Sequence, residues 1–346
     1  MTQILPRMRL MHKRLHIHIV MAMLWGILFF PPFVPAAEIT PFYTQNQSPV
    51  IQIFGLPSIG DPVLVPPRKV DSRFIIDLTN NFIEDDNQRE SIVLDGQTTR
   101  ISVDVRYGIS KSFEVGLAIP YIIESGGFTD GFIDWYHSTF GFSSHGRDQA
   151  PKNRLLYQYQ KDQQVLLNVN NSSNGIGDIQ LMGGAQLYQS AIKPSRAISL
   201  RTSLKLPTGD SRQLHGSGST DLSLWITAGE DFQPDIGRMS LFGAGGIMGM
   251  TDGDVLKHQQ RHWVGFGALG FGWSPAAWIT FKIQANGHTS FYKDSGLEAL
   301  NGGSVQLTIG GTLAFSKNVT LDLGVTENLL GSSPDVVFHF ALRGSF

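Results

Sequence analysis

Residues 336–346 read V-V-F-H-F-A-L-R-G-S-F. Taken in steps of two, Val336, Phe338, Phe340, Leu342, Gly344 and Phe346 are apolar or small, while His339, Arg343 and Ser345 fall between them. Side chains on a strand alternate between its faces, so this stretch predicts a strand with one face for oil and one for water.

The same period of two runs back through the chain. Phe74, Ile76 and Leu78 alternate with Arg73, Ile75 and Asp77; Ile101, Val103, Val105 and Tyr107 alternate with Arg100, Ser102, Asp104 and Arg106. Phe113, Val115, Leu117, Ile119 and Tyr121 follow in the same manner. Further strands are predicted at 178–188, 197–206, 220–229, 239–249, 263–273, 278–291, 304–315 and 319–326. With the last stretch this makes about twelve, each near the 9–11 residues that a tilted membrane strand needs. The connections alternate between long (80–97, 122–177, 207–219, 250–262, 292–303, 327–335) and short (108–112, 189–196, 230–238, 274–277, 316–318). Sorting loops by side is a property of outer-membrane barrels, with long extracellular loops and short periplasmic turns. The predicted fold is therefore all-β, a transmembrane antiparallel β-barrel of about twelve strands over residues 70–346. Tyr107, Trp273, Trp278, Phe315 and Phe346 fall near the periplasmic rim, and Tyr121, Trp263 and Phe291 near the outer one, as two aromatic girdles. Trp225 shares the inward parity and has no place in either girdle.

Composition agrees. Mean hydropathy is -0.04, since each outward apolar residue in such a barrel is diluted by an inward polar one. The 38 glycines and 10% aromatic residues fit strands and girdles better than a helical bundle. Cysteine is absent, which excludes disulfides, thiolate metal sites and a lipoprotein anchor.

At the N-terminus, Arg7, Arg9, Lys13 and Arg14 precede an apolar run at about 19–30, and small residues follow to Ala36 and Ala37. This order predicts a secretory signal peptide over 1–37, cut after Ala36 or Ala37. Its removal leaves 23 basic against 29 acidic residues, with no electrostatic case for nucleic acid. Residues 38–69 carry six prolines and the apolar group Ile51, Ile53, Phe54 and Leu56, and are expected to form a plug in the barrel or a piece of its rim.

The inward face is the candidate site. Arg100, Asp104, Arg106, Glu114, Asp178, Arg201, Lys205, Asp221, His288, Asp322, His339 and Arg343 would line the lumen. They could set the selectivity of an open wall or fill a closed interior with ion pairs. In the long loop, Phe128, Phe132, Trp135, Tyr136 and Phe140 recur at helical spacing, a candidate gate or ligand loop. His288 and Ser290, with Asn301 beyond, resemble the His-x-Ser of outer-membrane phospholipase. Their parity points them away from lipid, and no enzyme activity is expected. No cofactor or metal site is expected either. Function is thus expected to be that of a passive channel or transporter for small solutes, with a structural or surface-interaction barrel as the alternative and a lumenal hydrolase third; a lumen blocked by residues 38–69 would remove the passive-channel reading.

Family resemblance supports the same fold. The last strand, ending on Phe346, resembles the terminal strand of bacterial outer-membrane barrels. That resemblance implies outer-membrane lipid and lipopolysaccharide as surroundings and the barrel-assembly machinery as a partner. NQSPVIQIFGLPS (46–58), GFIDWYHSTFGF (131–142), GIGDIQLMGGAQLY (175–188), LRTSLKLPTGD (200–210) and GSGSTDLSLW (216–225) together resemble a proteobacterial outer-membrane barrel family, domain of unknown function 3187. The G-x-GD strand and LPTGD turn are more distantly similar to the outer-membrane family of the meta pathway of phenol degradation. This second likeness implies small, apolar or aromatic solutes and assigns no site residue.

Overall fold

In a computed structural model, described for residues 38–127, 151–190, 192 and 194–346, the strands are joined into one closed antiparallel barrel of twelve. The expected signal peptide (1–37) and the aromatic loop residues Phe128, Phe132, Trp135, Tyr136 and Phe140 lie outside the described residues. Barrel strands are β1 (Val70–Asp86), β2 (Glu90–Gly108) and β3 (Phe113–Ser125), then β7 (Gln180–Ser190), β8 (Ser195–Lys205), β9 (Asp221–Phe232) and β10 (Arg238–Met250). The ring continues with β11 (Trp263–Ala276), β12 (Ile279–His288), β13 (Ser304–Ala314), β14 (Val319–Gly331) and β15 (Val336–Ser345). Three short strands lie in the connection after β3: β4 (Leu156–Lys161), β5 (Gln164–Val169) and β6 (Ser173–Ile176). Among the described residues no helix is long and apolar enough to cross a membrane.

Closure runs through the stretch quoted first. β15 pairs with β14 on one side and with β1 on the other, from Asp71↔Ser345 to Asn80↔Val336. Val70 and Phe346 exchange backbone hydrogen bonds at 2.9 and 2.8 Å, which ties both ends to one rim and leaves no open edge. Parity in β15 follows the alternation: Phe340 and Leu342 face out, while His339 is fully buried inside. Val336 departs from the expected lipid contact. It is buried at the rim where Asn80 and Glu327 flank it in the ladder.

Around the ring, Leu117, Leu224, Leu241, Leu269, Ile283 and Ile309 stay exposed on the outer face. A continuous apolar belt of this size is stable only against lipid. Tyr107, Phe315 and Phe346 are exposed at the rim of short turns and Trp263 at the other. Phe291, expected there as a girdle residue, is buried instead. β12 ends at His288, and the chain turns inward to stack Phe291 on Phe54 with ring centroids 5.0 Å apart.

The connection expected as a polar loop over 80–97 is a continuation of the barrel. β1 and β2 stay paired to Asp86↔Ser91. At 17 and 19 residues and about 3.3 Å per residue they outrun a bilayer core about 30 Å thick. The projecting part is widened by β4 and β5, which pair beside β2. Its inner face supplies Ile92, Leu94, Tyr157 and Tyr159 to an apolar cluster at the long-loop end of the lumen. Val255, Leu256, Leu297 and Leu300 of the long loops join it, as do Val50, Ile51, Ile53 and Phe54 from the N-terminal segment.

Candidate functional site

Residues 40–65 run inside the barrel, and the inward side chains hold them. Three passages of characteristic sequence meet at one node. Asp178, in the break between β6 and β7, accepts from the backbone N–H of Gly209 (2.8 Å) and Ser217 (3.2 Å). It therefore ties the G-x-GD strand to the LPTGD and GSGSTD turns. Lys205 Nζ lies 2.6 Å from Asp178 and 3.2 Å from Asp221, and donates to the Ile53 carbonyl at 3.1 Å. Asp221 in turn accepts from the Gly55 N–H at 2.7 Å. A Cβ on Gly55 would lie 2.9 Å from Lys205 Cβ and 3.1 Å from Asp221 Cβ. Only glycine lets the segment come this close to the wall. One ring out, the Trp225 indole N–H donates to the Ile59 carbonyl at 2.8 Å, which accounts for the inward tryptophan.

Nearer the short-turn rim the wall is a charge lattice. Glu114 takes Arg201 at 2.6 Å, Arg106 at 3.1 Å and the Val65 N–H at 2.8 Å. Asp104 takes Arg106 at 3.3 Å and the hydroxyl of Tyr43, whose ring lies between Arg73 and Arg106 at 5.0 and 5.5 Å. Asp61 is held from three strands. Its carboxylate lies 2.9 Å from Arg73 and 3.2 Å from Arg343, and its carbonyl accepts from Arg201 Nε at 3.1 Å. Gly60, at φ 71°, turns the chain to present it.

Four of the expected lumen residues reach the segment elsewhere, two of them through a neighbouring wall residue. Arg100 donates to the Gln52 carbonyl at 3.4 Å, and His288 lies 2.9 Å from Asn46 Nδ2. Asp322 pairs with Lys282 at 2.9 Å, and the ammonium donates to Thr40 and sits 4.1 Å above the Phe42 ring. His339 lies 2.7 Å from Asp77, which also accepts from Gln47 at 3.3 Å. Buried pairs of this kind stabilise little relative to apolar packing, but removing one partner is costly.

Two members of the site were not expected from sequence. Asp61 sits in a proline-rich stretch without period, where its only signal is a lone carboxylate between Gly60 and Pro62. Glu124 is fully buried, and its partners Thr98, Tyr157 and Gln52 are all neutral. By contrast, the His288/Ser290 pair does not assemble. Ser290 Oγ donates to the Tyr292 and Leu300 carbonyls at 2.6 and 3.2 Å, and Asn301 accepts from Arg261. The serine is a turn residue here.

The Asp61 clamp sets a pH limit. Burial alone would raise its pKa, but Arg343, Arg73 and Arg201 outweigh that and hold it down to about 2. A depressed carboxylate contributes stability above its ordinary pKa of about 3.9 and loses it as pH falls further. Protease protection of the segment is therefore expected to stay level from pH 7 to about 4.5 and to fall below about 4, with Asp61→Asn flattening the fall. A fall centred near pH 6 in the parent protein would assign control to another group.

The fold defines a β-barrel of the outer-membrane type, and its inward side chains hold a segment of its own chain. The chain belongs to the family described as "Protein of unknown function (DUF3187)", which matches residues 17–346. No curated protein matches it. Among solved structures, the COG4313 outer membrane channel from Pseudomonas putida F1 is similar with a TM-score of 0.53 at 10% identity, covering 83% of this chain and 98% of that one. The NanC porin gives 0.44 at 6% identity (80% and 98%), and the CymD monoaromatic hydrocarbon channel 0.36 at 11% (89% and 95%). The first of these supports the fold.

Proposed function

We propose that the protein is a gated outer-membrane channel, closed at rest by residues 38–69 as an internal plug and open to a small solute when the plug withdraws. In this reading the short turns face the periplasm and the projecting sheet faces outward. One observation carries it: charged and polar wall residues bind a segment that contributes no strand to the barrel. A lumen filled for stability alone is served as well or better by apolar residues, because buried ion pairs give little net stabilisation. A wall that is hydrated part of the time has use for its charges, and the polar contacts of the plug can be exchanged for water. The distant likeness to the meta-pathway family agrees with passage of a small solute.

The alternative is a surface-interaction barrel without transport, favoured by the long projecting sheet of β1, β2, β4 and β5. Solute flux separates the two. Gly55→Val forces a side chain against Lys205 and Asp221, so liposomes carrying it are expected to admit small solutes faster than liposomes with the parent protein. Equal, background-level flux from both, with both migrating as folded bands on unheated gels, would favour the non-transporting barrel.

A further inference from the structure

We propose that the arginine cluster at the short-turn end of the lumen is a site for the carboxylate of a small organic acid, which Asp61 occupies in the closed state. The inference rests on the channel reading and adds to it the chemical class of the solute. A cavity of about 450 Å³ lies beside Asp61 at this rim. Its barrel wall supplies Arg73, Arg106, Arg201 and Arg343 as cations, with Lys317 on the short turn after β13, against the carboxylates of Asp71 and Glu114. Asp104 also pairs with Arg73 and Arg106, at 3.6 and 3.3 Å. The other two carboxylates lining it, Glu38 and Asp61, both belong to the N-terminal segment. Withdrawal of the segment therefore leaves four wall arginines and Lys317 facing three carboxylates, in a chamber large enough for a small molecule.

The geometry points to a carboxylate rather than to diffuse anion attraction. Arg73 and Arg343 converge on one oxygen of Asp61, at 2.9 and 3.2 Å, from the adjacent strands β1 and β15. Arg201 reaches the same residue from β8, through its carbonyl. Two guanidinium groups held by neighbouring strands on a single carboxylate oxygen form charge-assisted hydrogen bonds, which are shorter and stronger than neutral ones. Asp61 is thus a tethered occupant, and a free acid competes with it for the same donors. Entry of the acid and withdrawal of the segment would then be linked, since each vacates or fills the same site.

Calorimetric titration of the detergent-folded full chain tests this with butyrate and its uncharged isostere butyramide. Asp61→Asn is expected to bind butyrate about tenfold or more tightly than the parent protein, to ignore butyramide, and to lose the gain when Arg343→Gln is added. In planar bilayers its currents are expected to favour anions and to fall when butyrate is present. Glu38→Gln, which removes the other segment carboxylate, provides a second variant with the same direction of effect. Equal weak binding of butyrate and butyramide to both variants would overturn the site. Conduction by Asp61→Asn without preference for either compound would leave the channel standing and overturn the site. Selective butyrate binding with no current from any variant would keep the site and overturn the channel.

Discussion

Glu114→Leu is expected to cost about 3–5 kcal/mol of stability, the largest loss from any single carboxylate in the lumen. Arg106 and Arg201 both lean on it, and it also takes the Val65 N–H of the segment. The two arginines are almost wholly buried, so removing the carboxylate strands two desolvated cations and a backbone donor together. Arg106 keeps Asp104 as partner, whereas Arg201, among the described residues, keeps the carbonyl of Asp61. The urea concentration at which the folded gel band disappears reads the loss. An exposed pair is the control: Arg196 and Glu230 are 58% and 39% exposed at 3.1 Å, and Arg196→Ala should leave stability nearly unchanged. Equal effects at the two sites would show that the lattice is hydrated in the closed state.

Trp225→Ala should be of similar size, about 3–5 kcal/mol for the lost ring and its cavity. The indole is 2% exposed, packs edge-on to Phe266 at 6.0 Å, and holds the Ile59 carbonyl. Trp225→Phe separates the two contributions. It keeps most of the packing but leaves the carbonyl unsatisfied, at about 1–3 kcal/mol. If the tryptophan serves only to fill space, the phenylalanine variant would match the parent in unfolding and in protease protection of the segment.

The outer face of the barrel was legible because lipid imposes a strict period of two, which β3, β2 from Val103 to Tyr107 and β15 from Phe340 onward carry at lipid level. Where lipid stops, the pattern stops. Asn80, Asn81, Asp85, Asp86 and Asn87 are residues of turns and poor strand formers, yet they lie in or directly beside a ladder supported by β4, far along the chain. Phe291 failed for a related reason: parity counted on from β12 has no meaning once the strand has ended. The inward parity of the charged candidates followed from their outward neighbours, whereas their partners did not. Asp61 meets Arg201 and Arg343 across 140 and 282 residues, and a proline-rich segment has no period from which such contacts could be read.

A removable segment is tested most directly by tethering it. The chain has no cysteine, and a Cβ on Gly55 would stand 3.1 Å from that of Asp221, a little under the range of about 3.5–4.5 Å found in disulfides. Gly55→Cys with Asp221→Cys also removes the carboxylate that binds the segment at this point. Planar-bilayer currents would be recorded from the folded double variant while it is oxidised and again after addition of a reductant. Silence when oxidised and step currents when reduced are expected of a barrel gated by its N-terminal segment. The same current in both states, or none in either, would contradict it.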